Sequence, residues 1–122
     1  MGGSSSKPGQ VASSGTMEFV NSAIRDNKVV VFLKPNCPFC VRVKKLFGDV
    51  GVPIFVVDIT RREDMSDIQS CLEEKTGARS VPRVFINGES IGGCDQVLKM
   101  HDLGKLVPKL VEVGALDPAH AP

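Results

Sequence analysis

The chain has 122 residues, enough for one domain that buries its own core without cross-links. Hydrophobic residues make up 42% and charged residues 24%, and fifteen Lys+Arg against fourteen Asp+Glu leave a formal charge of +1. That balance provides no global field for nucleic acid or an anionic membrane, and a chain without Trp or Tyr lacks aromatic platforms for stacking bases.

Residues 1–15 are rich in Gly and Ser and read as a disordered tail. They begin M-G-x-x-x-S, which sets Gly2 and Ser6 as in an N-myristoylation signal, with Lys7 following. A plain flexible tail matches the same short pattern. One acyl chain gives only marginal membrane binding, so a membrane is expected as a partner only if Gly2 is myristoylated. No apolar signal-peptide core, Arg-rich transit pattern or run long enough to span a bilayer is evident, so the expected location is cytoplasmic.

A domain is expected over residues 16–116, followed by a short tail over 117–122. Thr16, with Phe19, Val20, Ala23 and Ile24, reads as a capped amphipathic helix that ends near Asp26 and Asn27. Residues 29–33 form a continuous β-branched and aromatic run, hence a buried strand. A loop over 34–38 leads into a helix in which Val43, Leu46, Phe47 and Val50 share a face and Gly51 supplies the stop. Residues 54–59 read as a second buried strand. A helix over 60–76 follows, with Met65, Ile68, Cys71 and Leu72 along one side and Gly77 at its end. Asn87-Gly88 between two short strands, 83–86 and 89–91, is a strong hairpin signal. The last helix runs from about Asp95 to Val113, with Pro108 as a break or restart.

The order α-β-α-β-α-β-β-α implies an α/β fold with a mixed four-stranded sheet flanked by helices. The first two strands should be parallel, joined through a helix, and the hairpin antiparallel.

The four cysteines lie at 37, 40, 71 and 94. In a reducing setting a close pair is catalytic or metal-binding. Cys37-Pro38-Phe39-Cys40 follows a buried strand and opens a helix. Cys37 therefore falls where unsatisfied N–H groups and the macrodipole favour an anion, and Lys34 adds positive charge. A thiolate so placed is the nucleophile of disulfide exchange. Pro38 suits the first helical turn, where its missing N–H costs nothing. Cys40, one turn on, is expected to be the resolving thiol, making the pair a redox-active disulfide. Zinc would need four ligands, and no second C-x-x-C accompanies the distant His101 and His120. A permanent disulfide closing so short a loop would stabilise little. Cys71 falls on the apolar side of its helix and reads as a small core residue.

Four separated pieces, taken together, resemble the glutaredoxin family over about residues 17–116. They are Lys34-Pro35-Asn36-Cys37-Pro38-Phe39-Cys40, Thr76-Gly77-Ala78-Arg79, Ser80-Val81-Pro82-Arg83-Val84-Phe85-Ile86, and Asn87-Gly88 with Ile91-Gly92-Gly93-Cys94-Asp95. The resemblance implies a thioredoxin-like fold, a cis bond before Pro82 and a glutathione site beside Cys37. Glutathione carries two carboxylates and an amine. By resemblance, Lys34, Gln69 and Arg79 hold the glycine-end carboxylate, and Val81 pairs with the peptide backbone beside Pro82. Phe39 lines the groove. Cys94 and Asp95 hold the γ-glutamyl end at a helix N-terminus. The plain readings stay beside these: Lys34 as a loop lysine, Gln69 and Arg79 as solvated residues, Asp95 as a helix N-cap, and Cys94 as an inert or a regulatory thiol. The chain departs from the family in Phe39 where Tyr is usual, Ser80 where Thr is usual, and Gln96 where an acid is common.

The implied activity is glutathione-dependent thiol–disulfide exchange on glutathionylated proteins and other disulfides, an electron-transport role. Cys37 would attack, and a separate glutathione reductase would recycle the oxidised glutathione. The chain is expected to act as a monomer with no resident metal. A thioredoxin or disulfide-isomerase reading is disfavoured by the absence of Trp and by Pro-Phe within the motif. The alternative is a dimer sharing a [2Fe–2S] cluster through Cys37 and glutathione, which Pro38 disfavours.

Overall fold

A computed structural model describes residues 13–121, so the acylation signal at Gly2 and most of the 1–15 tail lie outside the described residues. In chain order the elements are α1 (Ser14–Asp26), β1 (Val29–Leu33), α2 (Pro38–Val50) and β2 (Phe55–Asp58). A 3-10 turn at Ile59–Arg61 leads to α3 (Met65–Thr76), and the hairpin β3 (Arg83–Ile86) and β4 (Glu89–Gly92) follows. The chain then forms α4 (Cys94–Asp102), α5 (Leu106–Glu112) and a last 3-10 turn at Pro118–His120.

The sheet order is β2-β1-β3-β4, with β1 and β2 parallel and the two other pairs antiparallel. This is the mixed sheet the element order implies. At the hairpin both turn residues have positive φ, Asn87 at 52° and Gly88 at 85°, as a two-residue turn matched to strand twist requires.

Alternation along β1 divides the core. Val29, Val31 and Leu33 face α2, α4 and α5, whereas Val30 and Phe32 face α1 and α3. Val84 and Ile86 join the first layer and Phe85 the second, where its ring meets Phe32 edge-on at 5.9 Å between centroids. Every β1 side chain is buried, so the loop after Leu33 leaves from a strand fixed on both faces. That strand positions the reactive motif.

Four details depart from the sequence expectations. Helix α1 begins at Ser14, and Ser13 rather than Thr16 is its cap, its Oγ accepting from the Thr16 N–H at 3.2 Å. Thr16 is instead buried and donates to Asp64 across to α3. Second, β2 is an edge strand. Its Val57 is buried but Phe55 and Val56 are exposed, so the apolar run marks a strand covered on one side only. Third, residues 62–64 interrupt the expected helix over 60–76. Finally, the C-terminal helix breaks at Leu103–Lys105, around Gly104 with φ 71°, and not at Pro108, which sits in the first turn of α5 where it removes no needed donor. Residues read as a tail, 117–121, end with Ala121 packed against the core. Among the described residues, no helix is long and apolar enough to cross a membrane.

Candidate active site

The loop leaving β1 turns at Pro35 and Asn36, where the Cys37 N–H donates to the Lys34 carbonyl at 3.3 Å. Cys37 is then the N-cap of α2 with extended backbone (φ −92°, ψ 121°), and Pro38 is the first helical residue. Helix α2 is held down by Cys40, Val43, Leu46, Phe47 and Val50. The 3.6-residue period that buries this stripe turns Cys40 inward and leaves Cys37 half-buried at the rim.

The two thiols sit in opposite electrostatic settings. Burial pushes the Cys37 thiol up. The N–H of Cys40, the Cys40 thiol, the N–H of Phe39 and the Lys34 charge oppose it, and the net result lies below the ordinary cysteine value. The helix start thus acts on Cys37 through the first-turn N–H groups of Phe39 and Cys40, with the Lys34 charge a smaller contribution. Cys40 is pushed up to about 11, chiefly by burial and further by Cys37 and Cys94, although the Lys34 N–H donates to its sulfur at 3.5 Å. At neutral pH the first thiol is therefore enriched in thiolate and the second stays protonated.

Two hollows adjoin the motif. One, of about 330 Å³, is lined by Lys34, Cys37 and Thr60 with the intervening loop. The other, of about 270 Å³, runs between Phe39, residues 80–83 and residues 93–96. The second brings together five residues singled out from sequence: Phe39, Val81, Pro82, Cys94 and Asp95. The Val81–Pro82 bond is cis. Cys94 is the first residue of α4 and nearly buried; burial raises its thiol, Arg42 lowers it, and Asp95 and Cys37 raise it further. The N-cap of α4 is Gly93, so Asp95 lies in the first turn and is not the cap.

Gln69 and Arg79 line neither hollow. The Gln69 amide donates to the Arg79 carbonyl at 3.1 Å, and the Arg79 guanidinium reaches Ser70 Oγ at 3.3 Å and Glu73 at 3.4 Å. These contacts join α3 to the strand-entry loop. Cys71 is fully buried against β1 and α1, as its helical position indicates, and burial raises its thiol. Among the described residues no group of three or more His, Cys, Asp or Glu is placed to hold a metal ion.

Two residues of the groove escape the sequence reading. Arg83 donates to the Pro82 carbonyl at 3.1 Å and lies so close to Gly93 that a Cβ there would meet its Nη2 at 2.6 Å. Burial lowers this guanidinium, and it has no carboxylate partner among the described residues. Its position at a strand start gives no sign of this. Gln96, at the place where an acid is common, accepts from the Gly93 N–H through Oε1 at 2.8 Å and so closes the start of α4. The signal for Gln96 was present, since Gln three residues after a turn glycine fits a capping pattern.

Comparison with known proteins points to one family. The glutaredoxin family model matches residues 29–91. Glutaredoxin-C6 of Oryza sativa subsp. japonica is 53% identical over 88 residues, covering 72% of this chain and 79% of the relative. Glutaredoxin-1 of Oryctolagus cuniculus is 48% identical over 103 residues, covering 81% of this chain and 96% of the relative. The crystal structure of a buckwheat glutaredoxin–glutathione complex superposes with a TM-score of 0.81 at 42% identity, covering 84% of this chain and 93% of that one.

Proposed function

The chain belongs to the glutaredoxin family, and we propose that its glutathione-dependent thiol–disulfide oxidoreductase activity runs through Cys37, with glutathione lying in the groove between Val81–Pro82 and the first turn of α4. The observation that carries this reading is the placement of Cys37 at the half-exposed N-terminus of α2 with Cys40 buried one turn on, an arrangement that lowers the first thiol and raises the second.

The Cys37 thiolate attacks the glutathione sulfur of a mixed disulfide. A bond forms between Cys37 and glutathione, and the substrate thiolate leaves and takes up a proton. A second glutathione thiolate then attacks the glutathione sulfur of that adduct. Oxidised glutathione departs, Cys37 regains its thiolate, and both electrons have come from glutathione. A disulfide between two protein cysteines follows another route. Cys37 attacks one of them and forms a mixed disulfide with it while the other leaves as thiolate. Cys40 then attacks Cys37, releases the bound substrate thiolate and leaves a Cys37–Cys40 disulfide that two glutathiones reduce. Cys40 serves there as a thiol one helical turn away, activated by proton loss only when needed.

Binding of glutathione rests on charge placed at both ends. Lys34 beside Cys37 supplies a cation for the glycine-end carboxylate, while Gln69 fixes the main chain at Arg79. At the other end, Asp95 meets the amine and the α4 N-terminus, where Cys94 sits, meets the second carboxylate. Arg83 adds a half-buried guanidinium to the same groove, and a cation in that setting is a fitting partner for a carboxylate ligand. A cytoplasmic, glutathione-rich setting and a monomeric chain belong to this reading. The alternative of a shared [2Fe–2S] cluster would draw Cys37 and glutathione as ligands, and no observation on the described residues favours it.

The adduct is the direct test. In Cys40→Ser, incubation with a small glutathionylated disulfide and no free glutathione should leave one glutathione on the chain by mass spectrometry, mapped to Cys37. An adduct on Cys94 in its place would overturn the assignment. Arg83→Gln should raise the KM for that substrate several-fold with little change in kcat, as expected for loss of uniform binding.

A further inference from the structure

A second and larger groove, of about 800 Å³, runs along the outer edge of β2 and the exposed side of α2. Its floor is apolar: Val41, Phe55 and Val56 are 52%, 42% and 37% exposed. Of the five exposed large apolar side chains among the described residues, three therefore gather here. Scattered singly they would need no explanation, but gathered in one groove they mark an interaction site. Strand β2 pairs only with β1 among the described strands, so its outer row of N–H and C=O groups is open to an added strand.

The rim is cationic. Lys34, Lys44, Lys45, Arg61 and Arg62 line the groove against one acid, Asp58, whose Oδ1 already accepts from the Thr60 N–H at 3.0 Å. Lys45 is paired with Asp49 and Arg62 with Asp64, but Lys34, Lys44 and Arg61 have no ion pair among the described residues. On a molecule of formal charge +1 this is a local excess, and its complement is acidic.

The groove also leads to the chemistry. Lys34 and Pro35 line both it and the hollow that contains Cys37. It shares no residue with the groove between Phe39, Val81 and Asp95. A chain lying along β2 would thus approach Cys37 past Lys34 and Pro35, on the side away from the γ-glutamyl end of glutathione.

We propose that the β2-edge groove docks an extended segment of a client protein, one that carries apolar and acidic side chains around its glutathionylated cysteine. The proposal rests on the oxidoreductase reading above and names its substrate class. Glutathione keeps its γ-glutamyl end in the groove beside Val81 and Asp95, and the client backbone adds alongside β2 with apolar side chains over Val41, Phe55 and Val56. Its carboxylates meet Lys44 and Arg61. The leaving thiolate then departs along the groove it arrived in.

The test compares two ten-residue peptides, each with a central glutathionylated cysteine flanked by Val and Leu, one with Asp/Glu and one with Lys at the remaining positions. A small glutathionylated disulfide serves as the reference substrate. Wild type should show a kcat/KM on the order of fivefold higher for the acidic peptide, the sum of a few exposed ion pairs, and the preference should shrink as salt rises. The double variant Lys44→Glu, Arg61→Glu should reverse the preference, and Val56→Ser should slow both peptides. Both variants should turn over the small disulfide within twofold of wild type, which also shows that they fold. Equal rates for the two peptides, or a preference that survives the double charge reversal, would overturn the docking site while leaving the oxidoreductase reading intact. Loss of the small-disulfide activity in wild type would instead remove the reading on which the proposal rests.

Discussion

Cys37 and Cys40 are the same residue type three positions apart, yet their surroundings separate their acidities. The difference is one of helix geometry: the N-cap is at the rim, and one turn further the side chain is in the core. Alkylation by iodoacetamide should therefore proceed at Cys37 with a pH midpoint below the ordinary cysteine value, and Cys40 in a Cys37→Ser variant should stay unreactive at pH 8. Lys34→Gln should move the Cys37 midpoint up, but modestly, because the Lys34 charge acts less strongly than the Cys40 N–H and the Cys40 thiol. A midpoint at or above that of a free cysteine would contradict this balance. Much of this was legible in sequence, because Pro38 and the preceding β-branched run place the helix start and so place Cys37. Arg83 was not. A single arginine at a strand start looks like any solvated cation until the chain folds it back over Gly93.

At the scale of elements, α1 and α3 are clasped through Asp64. Thr16 Oγ1 donates to it at 2.6 Å, Arg62 binds it with two nitrogens at 2.8 and 3.0 Å, and the Arg62 guanidinium lies 3.7 Å from the centre of the Phe19 ring. The Arg62 hydrogen bonds are the main reason the Asp64 carboxyl falls to about 2; burial pushes it up, and the Thr16 hydroxyl lowers it further. A carboxyl lower in the folded than in the unfolded chain adds stability that is complete above the unfolded value near 3.8. That contribution disappears as pH falls towards 2. Asp64→Asn should accordingly cost about 1–2 kcal/mol in urea unfolding at neutral pH, and the gap from wild type should close between pH 4 and pH 2. A gap that widened on acidification would contradict the clasp.

The same element scale shows where local sequence signals stop. Gly51 and Gly77 end α2 and α3 in the left-handed conformation, as their positions suggest. Ser13 is hard to recognise as a cap because it lies in a Ser-rich stretch that resembles a tail, and only the long-range Asp64 contact shows that Thr16 is occupied elsewhere. Residues 54–59 read as fully buried because an apolar run does not say whether a strand is central or at an edge. That depends on β3, far along the chain, pairing with the other side of β1.

For the whole molecule, the site depends on a sheet covered on both faces. Phe32 is fully buried against Phe85 in the α1/α3 layer, while its neighbours on β1 hold the α2 layer that carries the cysteines. Phe32→Ala should lower stability by about 3–5 kcal/mol, seen as an earlier urea midpoint. The Cys37 alkylation midpoint of the folded protein should not change, because the cavity opens on the other face of the sheet. A large change in that midpoint would show that the two layers are coupled more tightly than this packing implies. The layered α/β plan was readable from the element order alone. The glutathione groove was readable only through the resemblance, which named Phe39, Val81, Pro82, Cys94 and Asp95, and the β2-edge groove was not, since it is assembled from segments distant in sequence.

The most direct measurement is glutathione-dependent turnover of a small glutathionylated disulfide, coupled to glutathione reductase, for wild type, Cys37→Ser and Cys40→Ser. Wild type and Cys40→Ser should both be active and Cys37→Ser inactive, because the exchange needs only the rim thiolate. Activity that persists without Cys37, or that is lost with Cys40, would contradict the assignment of Cys37 as the nucleophile of a monothiol exchange.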